Sequence, residues 1–188
     1  AYYGGKSARD VTGLMHWDIG GYKPSDIEVV CAFDIDRRKV GKDVSEAIFS
    51  PPNCTAVFHK QVPRRGIRVR MGRILDSVAP HMRTYDPRYS FVPASMKEAA
   101  QQDVVRALRS SGTEILLNYL PAGSEEAARF YAQCALEAGV GFIKHIPVFI
   151  ASEPRWAKRF EAANLPVIGA DIQRQLGAPI VNRVLTHL

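Results

Sequence analysis

The sequence predicts an α/β fold, a doubly wound sheet of parallel strands with helices packed between successive strands. Near-continuous apolar runs rich in β-forming residues recur at 27–35, 113–118, 140–143 and 165–168, the pattern of strands buried on both faces. Segments with helical spacing of apolar residues separate them, so strand and helix alternate along the chain. A third observation says where chemistry belongs. The stretch 139–183, GVGFIKHIPVFIASEPRWAKRFEAANLPVIGADIQRQLGAPIVNR, holds two of the runs, each followed by polar residues and then a helical pattern. Open α/β sheets bind ligands beyond the carboxyl ends of their strands.

Residues 1–24 are rich in glycine and aromatics; Tyr2 and Tyr3 fit the end of a helix, and Gly4, Gly5, Gly20 and Gly21 mark loops. Residues 27–35 read as a buried parallel strand closing on Asp34 and Asp36. An acid closing the second strand of a dinucleotide-binding fold hydrogen-bonds the adenosine ribose, and Asp34 is the first choice. Read alone, Asp34 or Asp36 serves equally as a helix cap. Arg37 and Arg38 suit a 2′-phosphate, but Asp34 argues for the unphosphorylated cofactor. Residues 40–49 are helix-like, with Val40, Val44, Ala47 and Ile48 on one face and Asp43 on the other as a solvated residue.

Residues 51–93 are the least readable. Ile67, Val69 and Met71 alternate with Arg68, Arg70 and Gly72, which suggests a half-exposed strand. Arg64, Arg65, Arg68, Arg70 and Arg73 form a basic cluster without the interleaved aromatics that nucleic-acid stacking needs, so no nucleic-acid partner is expected. Residues 96–110 make an amphipathic helix with Ala99, Val104, Val105 and Leu108 inward. The strand at 113–118 ends in Asn118 and the loop Tyr119, Leu120, Pro121, Ala122, Gly123; Ser124 then caps a helix that runs to Ala138 and stops at Gly139. Right-handed connections place this loop on the same sheet edge as Asp34, so nicotinamide and substrate are expected at 118–124. Tyr131, two turns into that helix, fits core or ligand equally.

The run at 140–143 ends at Lys144 and His145, and a helix opens at Ser152 with Glu153 and Pro154 in its first turn. The run at 165–168 ends at Gly169, and Asp171, Gln173 and Arg174 precede a helical pattern from about residue 175 to the end. Strand, glycine, polar cluster and helix N-terminus suit an anion. The simpler reading is that Gly169 only permits a tight turn.

With 188 residues, 46% hydrophobic and 23% charged, one ordinary globular domain is expected. The net charge of +6 hints at acidic or phosphorylated ligands. No apolar run approaches the roughly 18–20 residues that span a bilayer, and no signal peptide opens the chain, so a soluble, cytoplasmic protein with no membrane partner is expected. Cys31, Cys54 and Cys134 are widely spaced and odd in number, which supports neither a disulfide framework nor a metal site; Cys31 and Cys134 read as small core residues. The chain contains no GxGxxG.

The segment 139–183 resembles the inositol-3-phosphate synthase family in its short prokaryotic form, whose pattern runs GV-F-N-PVFIAS-P-WAKKF and then PI-GDDIKSQ-GATI-HR. Collinear matches occur at Gly13-Leu14-Met15-His16, Ala32-Phe33-Asp34-Ile35-Asp36, Lys39-Val40-Gly41-Lys42-Asp43 and at 119–127, weakest between 50 and 95. The resemblance implies a Rossmann-like domain that binds NAD, with 1–188 a partial domain from its second strand onward and 50–95 a variable insertion. A first strand and glycine loop are expected upstream, and a catalytic, homo-oligomerising segment downstream. It also implies an NAD-dependent conversion of glucose 6-phosphate to inositol 3-phosphate by oxidation, enolisation, aldol closure and re-reduction, with lysines stabilising enolate and phosphate.

The positions implied for the cofactor are Asp34, Asp43, Asn118, Leu120, Pro121, Ser124 and Tyr131; those implied for catalysis are Lys144, Asp171, Gln173 and Arg174. Departures cluster at one edge. Gln173 stands for the expected lysine, Ala170 for an aspartate, Lys144 for an asparagine, and Pro179 and Asn182 for a threonine and a histidine. Lys144 or Arg174 is the candidate replacement for the lost charge, though arginine is a poor proton-transfer group. A sugar-phosphate cyclase with altered substrate or reduced activity is the first reading, and a non-catalytic nucleotide-binding or scaffold paralogue the alternative.

Overall fold

The computed structural model describes residues 2–7, 9, 13–53, 56–78, 82 and 84–169. Within them all named strand pairings are parallel. β1 (Phe33–Asp34) pairs with β2 (Arg70–Met71), Phe33 opposite Arg70 and Asp34 opposite Met71. β3 (Ile115–Asn118), β4 (Gly141–Lys144) and β5 (Val167–Gly169) form a second sheet in that order. Helices α1 (Val44–Ala47), α2 (Gln101–Ser110), α3 (Glu125–Ala138) and α4 (Pro154–Ala162) lie between the strands in sequence. The two sheets match the 3-2 and 4-5-6 portions of the doubly wound order 3-2-1-4-5-6. Among the described residues no strand joins them, so β1 and β3 each pair along one edge only.

The expected strand at 27–35 contracts to Phe33–Asp34, and Ile27 and Val29 are exposed. Residues 27–32 lie in no named strand; Arg70 N donates to the carbonyl of Ala32 just ahead of the two-residue ladder. The expected helix at 40–49 is a single turn. Gly41 sits at φ +86°, left-handed backbone that interrupts a right-handed helix, and Asp43 caps the turn that follows.

The described residues of the segment 50–95 take part in the first sheet and its core. They supply β2, and Ala94 N donates to the carbonyl of Ile35 at 2.9 Å. Ile35, Met71 and Ala94 form a small core of their own, with Val40, Ile74, Val78 and Phe91 packed against it.

The main core lies between the second sheet and its helices. Val104, Val105 and Leu108 of α2 meet Ala128, Ala132 and Ala135 of α3, and Phe142, Ile150 and Phe160 fill the layer beneath. The alanines let α3 approach its neighbours closely. α2 starts at Gln101 rather than 96, because the Asp103 carboxylate reaches back to accept from Ala100 N at 3.1 Å. α3 ends as expected on Gly139, at φ +78°. Cys134 is buried and Cys31 partly so. No helix among the described residues is long and apolar enough to cross a membrane.

Candidate functional site

Strand register brings three residues into one row at the carboxyl end of the second sheet: Asn118 faces Lys144, and Lys144 faces Gly169. Lys144 is only 2% exposed, and its Nζ donates to the carbonyl of Ile146 at 3.2 Å. Its stem runs across Gly169, where an added Cβ would lie 2.3 Å from Lys144 Cγ. Gly169 therefore does not serve a tight turn; it is a strand residue whose missing side chain leaves room for the lysine.

Asn118 is buried. Its Oδ1 accepts from Leu120 N at 2.9 Å, while its Nδ2 has no partner among the described residues. Leu120 and Pro121 are half-buried in the loop that follows. Ser124, 1% exposed, also keeps an unpartnered hydroxyl. Sequence reasoning made this serine the cap of α3, but its side chain makes no capping bond. The carboxylate of Asp76 takes that place, accepting from Glu126 N at 2.7 Å and from Ala127 N at 2.9 Å. A full negative charge with two acceptor oxygens suits a helix N-terminus better than a hydroxyl. Asp76 lies about 50 residues away in sequence, beyond the reach of any local capping pattern.

At the first sheet the two acids divide their roles. Asp36 is fully buried; it accepts from Arg38 N, from Arg38 Nε and from Val92 N, each at 2.8 Å. Burial pushes its carboxyl up, but the Arg38 guanidinium and the two amides outweigh that and hold it below the usual carboxylate range. Arg38 is thereby committed to structure and also donates to the carbonyl of Ser90. Asp34 stands at the strand end, a quarter exposed; its Oδ1 accepts from Ile35 N and Asp36 N, and its Oδ2 lies 3.4 Å from Lys39 Nζ.

Asp43 is not the solvated helix residue expected. It is buried as the cap of α1, accepting from Ser45 N, Ser45 Oγ, Arg65 N and Gly66 N. The Ser45 hydroxyl and these amides hold its carboxyl at about 2. Tyr131 is core: 8% exposed, its ring 6.1 Å from Phe33, its hydroxyl accepting from Arg73 N at 3.2 Å. Burial pushes its phenol up to about 12. An added Cβ on Gly72 would sit 2.5 Å from that hydroxyl, and Gly72 N donates to the carbonyl of Asp34. Tyr131 thus ties α3 to the strand ends of the first sheet.

The basic cluster disperses. Arg64 pairs with Glu46 at 3.3 Å, Arg73 with Glu98 at 3.8 Å, and Arg68 donates to the carbonyl of Gly41. Asp171, Gln173 and Arg174, with Ala170, Pro179, Asn182, Cys54 and the expected terminal helix, lie outside the described residues. Tyr119, inside the loop 118–124 expected to receive nicotinamide and substrate, and His145, to which sequence reasoning gave no role, immediately follow β3 and β4. Their rings stack at 4.2 Å with an interplanar angle of 3°. An open cleft of about 650 Å³ between α3 and α4 includes neither Asn118 nor Lys144 in its lining. Among the described residues no three His, Cys, Asp or Glu side chains gather as a metal set.

No family model matches the chain. Curated relatives do. Inositol-3-phosphate synthase of Mycobacterium tuberculosis is 43% identical over 187 residues, covering 100% of this chain and 48% of that protein. The Mycolicibacterium smegmatis enzyme of the same name is 44% identical over 178 residues, 95% of this chain and 47% of that one. The Corynebacterium glutamicum enzyme of that name is 43% identical over 189 residues, 100% and 49%. The crystal structure of Ari2 superposes with a TM-score of 0.77 at 33% identity, covering 98% of this chain and 49% of that one. The chain therefore spans about half the length of the relatives it matches. Similarity at this level along the whole chain, on a parallel α/β fold of Rossmann-like type, leaves one conclusion: the chain belongs to the inositol-3-phosphate synthase family.

Proposed function

We propose that the protein carrying this chain is a cytoplasmic, NAD-dependent sugar-phosphate cyclase of the inositol-3-phosphate synthase kind, with reduced turnover of glucose 6-phosphate. The observation that carries this is the pair of buried, unpartnered polar groups, Asn118 Nδ2 and Ser124 Oγ, at the two ends of the loop beyond β3. Buried polar groups without partners are rare, and each asks for one. A dinucleotide lying across the strand ends offers acceptors to both, so the residues fit NAD.

In this reading Asp34 hydrogen-bonds the adenosine ribose, and residues 120–124 with Asn118 receive the nicotinamide half. Asp43 and Tyr131 support it from behind, Asp43 by fixing residues 65–66 and Tyr131 by fixing residues 72–73. When bound, NAD supplies the hydride acceptor for oxidation of the sugar carbon. Lys144 places a positive charge in the strand-end row beside Asn118, where an oxyanion on the sugar phosphate would be stabilised. Asp171 and Arg174 belong to the same sugar-phosphate edge by position in the sequence, and self-association through segments beyond this chain completes the reading.

Gln173 carries the expectation of reduced turnover, because an amide cannot bring the charge of the lysine in the family pattern. The same substitution supports the alternative, a nucleotide-binding protein without turnover. Two measurements decide. Calorimetric titration with NAD should show affinity that falls in Asp34→Ala, and equal affinity in both proteins refutes the ribose assignment. Inositol phosphate formation from glucose 6-phosphate and NAD should be slow and should rise on the order of 10²-fold or more in Gln173→Lys. NAD binding with no turnover in either protein selects the alternative.

A further inference from the structure

We infer that the cleft between α3 and α4 is a second anion site, away from the strand-end row, which takes the phosphate group of a small phosphate ester on Arg155 and Arg159. The cleft holds about 650 Å³, the size of an ordinary small-molecule site. Both arginines line it, and α4 sets them four residues apart on one helix face. Like charges at that spacing repel, yet among the described residues neither guanidinium forms an ion pair. Arg129, on the opposite wall, is already engaged by Glu125 at 2.7 Å and by Glu153 at 4.0 Å. The remaining acid of the lining, Glu126, lies about two turns before Gln133, roughly 10 Å along α3 by helical rise. The Arg155–Arg159 end of the cleft is therefore left with uncompensated positive charge.

Arg159 is ordered before any ligand arrives. Its guanidinium lies over the buried Trp156 ring, 4.7 Å from the centroid, and donates to Gln133 Oε1. Gln133 is fixed in turn, because its Nε2 donates to Glu137 Oε1 at 2.7 Å and the same oxygen accepts from Gln101 Nε2. A chain of bonds from α2 through α3 thus turns the Gln133 carbonyl toward α4. Both supports of Arg159 are neutral, so they place the charge without cancelling it. A guanidinium carries five N–H donors, and Gln133 is its single hydrogen-bond acceptor among the described residues. Forked donors of this kind match the oxygens of a phosphate, and ordering them in advance lowers the entropic cost of binding. Leu75, 40% exposed, and the half-buried Phe130 give the organic part of the ester an apolar wall.

The site does not depend on the proposed NAD binding, and its test reads the cleft alone. The protein, with whatever flanking sequence its gene encodes, is labelled with 5-fluorotryptophan, and the Trp156 fluorine signal is identified by its loss in Trp156→Phe. Phenyl phosphate should shift that signal saturably, and phenol, which lacks the phosphate, should not. Arg155→Gln and Arg159→Gln should each raise the apparent Kd of phenyl phosphate by about 10-fold, the usual worth of a hydrogen bond to a charged group. Arg155 is exposed, so its variant keeps the test valid even where Arg159→Gln disturbs the packing on Trp156. Lys158→Gln, on the same helix but outside the lining, should leave the Kd unchanged. No saturable shift of the Trp156 signal, an equal shift with phenol, an unchanged Kd in Arg155→Gln, or an equal loss in Lys158→Gln overturns the inference.

Discussion

Gly169→Ala isolates the packing that sets the strand-end row. The added Cβ would stand 2.3 Å from Lys144 Cγ, 3.0 Å from Cε and 3.1 Å from the Lys144 carbonyl oxygen. Cγ lies near the root of the side chain, so swinging the ammonium aside does not relieve the clash; the whole stem must change rotamer within a site where it is 2% exposed. Overpacking of this kind costs about 1–3 kcal/mol. Lys144→Ala removes Cγ and Cε and leaves, of the three nearest atoms, the 3.1 Å backbone contact, so in that background Gly169→Ala should cost under about 1 kcal/mol, a coupling of about 1 kcal/mol or more. Urea unfolding of the four proteins in the cycle gives the numbers. Equal cost of Gly169→Ala in both backgrounds, or none in the wild type, would refute the argument that Gly169 is there to admit the lysine.

Asp76→Ala should cost about 0.5–2 kcal/mol, the usual worth of a helix cap, and hydrogen exchange should quicken at the Glu126 and Ala127 amides; Ser124→Ala, which removes an unpartnered hydroxyl, should cost nothing in the absence of ligand. Tyr131 predicts an alkaline weakness. Its folded value of about 12 lies above an unfolded value of about 10, so its contribution is complete below pH 10 and is lost as pH rises toward 12, by roughly 3 kcal/mol. Tyr131→Phe should reduce the alkaline slope and leave the part due to Cys134, whose thiol burial also pushes up to about 12; stability curves at stepped alkaline pH would measure the difference.

The second sheet was legible because its strands are local apolar runs: β3, β4 and β5 fall within or one residue beyond 113–118, 140–143 and 165–168. The helix from Glu125 to the glycine stop was legible for the same reason, since periodicity and capping are short-range signals. What sequence did not show depends on distant partners. The run at 27–35 has strand composition but pairs with only two residues of β2. Asp43 resembled an exposed helix residue until residues 65 and 66 were brought to it. Asp76, Tyr119 with His145, and the lysine across Gly169 are contacts between segments, and no spacing along the chain encodes them.

The charge at the ligand edge follows from the same geometry. Relative to the family pattern, the segment 139–183 loses a lysine at Gln173 and gains positive charge at Lys144 and Arg174, where the pattern has an asparagine and a serine, so the position of the charge changes. Adjacent strands lie about 4.8 Å apart, a distance a lysine stem spans, which makes a simple relocation from beyond β5 to the end of β4 arithmetically possible. The orientation of Lys144 argues against it. Its ammonium turns back along its own chain to the Ile146 carbonyl, and its stem is pinned over Gly169. On the proposed reading Lys144 sets the potential of the strand-end row without replacing the lost side chain, and the expected outcome is that Gln173→Lys raises turnover even with Lys144 in place. Robust turnover in the wild type, unchanged by Gln173→Lys and abolished by Lys144→Ala, would show that the charge had moved after all.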